Sequence, residues 1–187
     1  MKRQAKNSEL EADKRAIYFQ TNVKPHKSRY QEFHAPSVEV LYHLFYTYDV
    51  FAAYLARQLG QHNLSLSAFN VLLILGRSET QSCALSELSE LLVVSRANIT
   101  GLVDSLEKRG LVKRTTPKED RRVKEARITP AGQELLKRLL PDHYLELRSI
   151  CAGLTQPEKT QFVALLTKLR RGLQVATSVK AATAQEK

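Results

Sequence analysis

From residue 38 to about 61 the chain is apolar with few interruptions, and between 38 and 56 the charged residues are Glu39 and Asp49. Tyr42, Phe45, Tyr46, Tyr48, Phe51 and Tyr54 fall in this stretch. At 100° per residue they spread around a helix instead of sharing one face. A helix apolar all round has to be covered all round, which in a short chain calls for a second subunit. The pattern therefore predicts a dimer-forming helix. An aromatic-walled ligand pocket is compatible with it, and core packing is the plain reading of any single ring. Pro36 and Ser37 mark the start, with Ser37 as the N-cap.

Residues 60–64 break the period, and Ser65 or Ser67 opens a second helix over 68–77, followed by a polar loop at 78–82. Leu85, Leu88, Leu91 and Leu92 space a short helix with Glu87 and Glu90 outward. Ser95 is the N-cap of a further helix that ends at the C′ glycine Gly110. On it Ile99, Leu102, Val103 and Leu106 form a core-facing stripe. The opposite side carries Ala97, Thr100, Gly101, Asp104 and Lys108, with Arg96 and Asn98 in the first turn. Small residues there let the backbone approach a partner, the first-turn N–H groups suit a phosphate, and Arg and Asn are the side chains that pair with guanine and adenine edges.

Residues 111–116 read as a strand, 117–122 as a charged turn and 123–128 as a returning strand. Thr129-Pro130 is an N-cap followed by an N1 proline, opening a helix to about residue 151 that Pro141 should kink. Thr155 and Glu158 have capping-box spacing before a last helix with Phe162, Leu165, Leu166, Leu169 and Leu173 on one stripe. Beyond residue 175 the Ala/Thr/Ser/Lys composition predicts fraying. At the other end, 8–19 is a candidate short helix capped by Ser8, and 21–35 a loop or mobile arm whose Tyr30 and Phe33 are candidates to dock. The fold class is mainly α with a small β-hairpin wing: a winged helix-turn-helix domain on an α-helical dimerisation body. The expected divisions are a basic arm (1–36), a dimerisation helix (37–64), the winged helix-turn-helix (65–128), C-terminal dimerisation helices (129–176) and a flexible tail (177–187).

Charge sharpens this picture. The 187 residues carry 29 Lys+Arg against 19 Asp+Glu, a net of +10. Residues 37–95 hold 2 basic and 5 acidic side chains, whereas 96–128 hold 10 and 5. A basic segment confined to one helix and hairpin is the footprint of a polyanion-facing surface. No stretch of about 18 uncharged apolar residues exists, which speaks against a membrane span, the basic start leads into no apolar signal core, and Cys83 and Cys151 make no disulfide framework. The expectation is a cytoplasmic, nucleoid-associated protein without cofactor. His26, His34, His43, His62 and His143 show no paired metal spacing, and no phosphate loop or nucleophile elbow marks an enzyme. The partners expected are double-stranded DNA, a second copy of the chain and a small-molecule effector, with no membrane.

The order of these elements over residues 37–175 resembles the MarR family of winged-helix transcription regulators. The resemblance rests on Cys83-Ala84-Leu85-Ser86-Glu87-Leu88 through Ser95-Arg96-Ala97-Asn98-Ile99-Thr100-Gly101 to Gly110-Leu111-Val112. It rests further on Asp120-Arg121-Arg122 and on Ile128-Thr129-Pro130-Ala131-Gly132. It implies a homodimer on a pseudo-palindromic operator, modulated by a small aromatic ligand. Ser95, Arg96, Ala97, Asn98, Thr100 and Gly101 would then lie in the major groove, and the wing residues Lys118, Asp120, Arg121 and Arg122 at the minor groove, with Asp120 bracing the wing. Tyr42, Tyr46 and Phe69 are candidate effector-pocket residues. The alternative is an architectural, weakly specific nucleic-acid binder. Three departures stand out. Val93 occupies a turn position that the family often gives to glycine. Ala84 stands where Thr is usual, leaving Ser86 as the expected cap. The basic leader is long, and is either a source of phosphate contacts or a disordered arm. Cys83 reads as a packed thiol over an oxidant sensor.

Overall fold

The computed structural model describes residues 14–23, 25, 30–116 and 122–185, so the expected Ser8 cap and the wing residues Lys118, Asp120 and Arg121 lie outside the described residues. The described chain begins with a short helix, α1 (Lys14–Tyr18), which passes into a π-helical turn at Phe19–Val23. Phe19 is fully buried, its ring 5.1 Å from that of Tyr42 and 6.2 Å from that of His43. Next to it Gln20 Nε2 donates to Glu39 Oε1 over 3.0 Å. The leader therefore docks through Phe19; of the expected Tyr30 and Phe33, Tyr30 is exposed and Phe33 half-buried. Tyr30 stands among Lys, His and Ser, whereas Phe19 follows Ile17 and Tyr18 in a segment that can coil.

Helix α2 (Ala35–Gly60) starts two residues before the expected Ser37 cap. Pro36 sits in its first turn, where a missing N–H leaves nothing unpaired. His34 takes the N-cap position without capping a backbone N–H, and its Nδ1 instead hydrogen-bonds the Ser37 hydroxyl at 2.8 Å. The helix closes on Asn63, which adopts φ 54°, while Leu64 N–H returns to the Leu59 carbonyl. Arg109 Nη1 and Nη2 donate to the carbonyls of Asn63 and His62 at 2.6 and 3.1 Å, tying this turn to the end of a later helix.

Ser65 caps α3 (Leu66–Arg77) as expected, its Oγ accepting from Ala68 N–H at 3.1 Å. Then comes an unexpected element, the strand β1 (Ser82–Ala84). It runs directly into α4 (Leu85–Leu91), so Ala84 and not Ser86 stands at the N-cap. No hydroxyl caps this helix; its first N–H, that of Leu85, donates to the Lys124 carbonyl at 2.8 Å. Helix α4 ends in a Schellman turn: Val94 N–H reaches the Ser89 carbonyl at 3.0 Å and Val93 N–H the Glu90 carbonyl at 3.1 Å. The pivot is Val93, at φ 53° and 90% exposed.

Ser95 caps α5 (Arg96–Lys108), its Oγ accepting from Asn98 N–H at 3.2 Å. The strands β2 (Val112–Thr115) and β3 (Glu125–Ile128) complete an antiparallel sheet of order β1-β3-β2. Cys83 and Arg114 flank Ala126 in the register, and Val112 faces Ile128. This inner face joins Ile99, Val103 and Leu106 of α5, Leu88 of α4 and Phe69, Leu72 and Leu75 of α3 in the core.

Helix α6 (Pro130–Ile150) contains Pro141, and its N-cap is Thr129, whose Oγ1 accepts from Gly132 N–H at 3.1 Å. The chain divides after Gly132 into two compact units. The second holds the rest of α6 and α7 (Gln156–Gln185). The Thr155–Glu158 capping box forms, with Glu158 Oε2 accepting from Thr155 N–H at 2.7 Å. These bonds hold the Glu158 carboxyl below its ordinary pKa. The expected tail from 177 is helical through Gln185. Alanine carries the helix there, and Thr177 and Ser178 return their hydroxyls to the carbonyls of Leu173 and Gln174. Large apolar side chains stand exposed in each unit: Phe45, Tyr48 and Val50 on α2, and Leu145, Phe162, Val163 and Leu165 on α6 and α7. The all-round apolar α2 is thus covered on part of its circumference only.

A β-branched side chain in the left-handed region costs on the order of 1–3 kcal/mol. At 90% exposure Val93 packs against little that would repay it. Val93→Gly is therefore expected to raise stability by about 1 kcal/mol after the added unfolded-state entropy of glycine, read as a higher urea midpoint. A lower midpoint would show that the side chain contributes more than its strain costs.

Candidate nucleic-acid interface

Helix α5 points its apolar stripe at the core and leaves Arg96, Ala97, Asn98, Thr100 and Gly101 exposed. Around Gly101 a Cβ would meet no atom within 4 Å, so this face is open to a partner's surface. The Thr100 hydroxyl donates to the Arg96 carbonyl at 2.9 Å. Its proton is thereby committed to the helix, and its oxygen keeps acceptor capacity. Ser95 is the helix cap, so its hydroxyl serves the helix first.

The second half of the site comes from the hairpin. Arg122 is exposed in the turn leading to β3. With Val123 and Lys124 it lines a groove of about 370 Å³ whose other wall includes Arg96, Ile99 and Thr100. Two cations of the hairpin and one of α5 therefore face a common concave surface. Lys124 Nζ also donates to Thr116 Oγ1 at 3.2 Å at the turn end of the hairpin, just beyond the Thr115–Glu125 pair. The structure thus brings Arg122 together with Arg96 and Thr100.

Sequence reasoning missed Arg114. From β2 its Nη2 reaches Asp104 Oδ1 at 2.6 Å and the Thr100 carbonyl at 3.1 Å, and its N–H donates to Glu107 Oε1 at 2.8 Å. The available signal was the spacing of Thr100, Asp104 and Glu107, which stacks three successive turns on one side of α5.

The candidate pocket residues are dispersed in role. Phe69 belongs to the core. Tyr42 is half-buried against Phe19, and Tyr46 is half-buried on α2. Among the described residues no group of His, Cys, Asp and Glu is arranged to hold a metal ion, and no helix is long and apolar enough to cross a membrane.

Cys83 is buried in β1, and its Sγ lies 3.2 Å from Glu87 Oε2. Burial first, then the hydrogen bond and the charges of Glu87 and Glu125, push the thiol up to about 12. A thiol so protonated is a packed core group, as read from the sequence, and a poor nucleophile.

A helix with a small, polar outward face, followed by a basic hairpin that shares a groove with it, defines a winged helix-turn-helix DNA-binding protein. Residues 64–124 match the model of the MarR family. The HTH-type transcriptional regulator PrsX of Escherichia coli is 37% identical over 111 residues, 59% of this chain and 67% of PrsX. The HTH-type transcriptional repressor YetL of Bacillus subtilis is 27% identical over 154 residues, 82% of this chain and 92% of YetL. The chain belongs to the MarR family and is a transcriptional regulator. Among solved structures, AbsC of Streptomyces coelicolor shares the fold with a TM-score of 0.70 at 19% identity, covering 76% of this chain and 98% of AbsC. Sco3205 of the same organism, solved in complex with DNA, superposes with a TM-score of 0.62 at 25% identity, covering 70% and 90%.

The raised Cys83 value gives a testable sign. A group whose folded pKa is raised stabilises fully below its unfolded value. That stabilisation is whole below about pH 9 and is lost as pH climbs toward about 12. At pH 8 the folded-state reaction of Cys83 with a thiol reagent should be on the order of a thousandfold slower than that of a free cysteine. It should become fast on unfolding. A Cys151→Ser background isolates the signal, and rapid labelling of the folded protein would refute the packed-thiol assignment.

Proposed function

We propose that this chain is a sequence-specific DNA-binding regulator that acts as a homodimer on a pseudo-palindromic operator. The observation that carries the reading is the groove shared by Arg96 and Thr100 of α5 with Arg122 and Lys124 of the hairpin. One helix face and one hairpin, both basic and adjacent, suit a major groove and the minor groove beside it. In this reading α5 lies in the major groove, with Arg96 and Asn98 reading base edges and Ser95, Ala97, Thr100 and Gly101 in close approach. The hairpin, with Lys118, Asp120, Arg121 and Arg122, follows the minor groove, where narrow A/T tracts attract arginine. Dimerisation is supported by the apolar side chains left exposed on α2, α6 and α7, a larger set than a lone chain ordinarily leaves in water. The cytoplasm is the compartment this role requires. Of the effector-site residues expected at Tyr42, Tyr46 and Phe69, ring packing with Phe19 supports Tyr42 alone, and Phe69 belongs to the core.

In vitro selection from a random duplex library tests the reading. The expected product is a two-fold motif with half-sites about one helical turn apart. On that duplex Arg122→Ala should weaken binding at fixed salt. Arg96→Ala or Asn98→Ala should relax base preference by about 1–3 kcal/mol per lost contact. Uniform loss on selected and scrambled DNA would make those residues phosphate contacts, and a library that returns no motif would favour the architectural alternative.

A further inference from the structure

We infer that Arg114 and Asp104 form a clamp that positions the DNA-reading helix against the hairpin, and that Asp104, although acidic, is required for sequence discrimination. The inference rests on the DNA-reading role proposed above. Asp104 is an anomaly in that role: it lies on the outward side of α5, next to the basic surface, where a carboxylate repels phosphate. Arg114 explains its presence. One residue of β2 holds three successive turns of α5, through Nη2 to the Thr100 carbonyl and the Asp104 carboxylate and through its N–H to Glu107. The Thr100 turn carries the exposed residues at the front of the helix, and Arg122 lies on the strand connection that begins where β2 ends. Sliding or rotating α5 relative to the hairpin breaks all three contacts at once.

The pair is not a stability device. The side chains of Arg114 and Asp104 are 35% and 45% exposed, a setting in which ion pairs contribute little to folding. Nor is Arg114 replaceable by any cation. Its Nη2 serves a carboxylate and a carbonyl together from the end of a planar guanidinium, whereas lysine carries a compact, strongly hydrated charge on a shorter, flexible stem. Arg114 Nε is buried and makes no hydrogen bond among the described residues. Among the described residues the contacts of the guanidinium are to α5. Arg114 and Asp104 are positioning residues: they act through Arg96, Asn98 and Arg122, not by reading bases themselves.

The test measures affinity for the duplex selected by the wild-type chain and for a scrambled duplex of the same length and composition, at one salt concentration. Asp104→Asn removes a negative charge, so electrostatics alone predicts tighter binding to both. The clamp predicts the opposite for the selected duplex, a loss on the order of tenfold, the size of one base contact, with equal or tighter binding to the scrambled one. Arg114→Lys should lose the same discrimination, and the double variant Asp104→Asn/Arg114→Met should be no worse than the worse single variant, the non-additivity of residues that act as a unit. Thermal midpoints should move by no more than a few degrees, which separates positioning from folding. If Asp104→Asn binds the selected duplex as well as or better than wild type, or if Arg114→Lys is silent, the clamp is overturned. If Arg114→Met weakens both duplexes equally and lowers the salt slope by about one, Arg114 is a phosphate contact and the clamp is again overturned. A wild-type chain that selects no motif overturns the DNA-reading role itself, and the clamp with it.

Discussion

The base of the hairpin is closed by a joint of four residues on which the rest of the DNA-facing unit depends. Helix α5 ends at Gly110, whose φ of +69° turns the chain toward β2. The Gly110 carbonyl accepts from Thr129 Oγ1 at 2.6 Å, and the Leu111 carbonyl accepts from Thr129 N–H at 3.1 Å. Thr129 then caps α6 through Gly132 N–H. Gly132 is pressed so close that a Cβ there would collide with the Leu111 carbonyl oxygen and stand 2.8 Å from Ile128 Cγ1. One threonine hydroxyl and one missing side chain thus join the end of α5, the start of β2, the end of β3 and the start of α6. With the joint in place, Val112 must face Ile128 and Arg114 must face Ala126, and Arg114 arrives beside α5.

That geometry turns a diffuse charge into a directed one. Residues 96–128, with 10 basic and 5 acidic side chains, supply half of the net charge of +10, and within them Arg96, Arg122 and Lys124 line one groove between α5 and the hairpin. The two carboxylates of α5 nearest the surface, Asp104 and Glu107, are engaged by Arg114 instead of facing outward unanswered. The result is a helix face of small and polar residues flanked by cations, the arrangement that double-stranded DNA recognises through phosphates and base edges together.

Much of this was readable because it is local. Ser65, Ser95, Thr129 and the Thr155–Glu158 box cap helices through bonds spanning three residues. The period of Ile99, Val103 and Leu106 placed the buried side of α5. What escaped depended on partners far along the chain. Strand β1 is three residues long and is held by its pairing with β3, and α4 starts directly after it at Leu85, which places Ser86 inside the helix and not at its cap. The start of α2 moved to Ala35 because Pro36 tolerates the first turn better than a serine cap is needed. Phe19 lay in a segment with no sustained period, so its burial against Tyr42 had no signature in the sequence. The Arg114 contacts join residues 7 to 14 positions apart across a helix end and a strand.

The Gly132 joint is tested by the unfolding free energy of Gly132→Ala. Alanine favours a helix over glycine by about 1 kcal/mol. A collision with a backbone carbonyl cannot be relieved by a rotamer change and costs about 1–3 kcal/mol or more. The account predicts that the collision wins, with a lower urea midpoint and a net loss of about 1–2 kcal/mol at unchanged m-value. A Gly132→Ala protein as stable as the wild type, or more stable, would contradict the joint and with it the constraint on the hairpin.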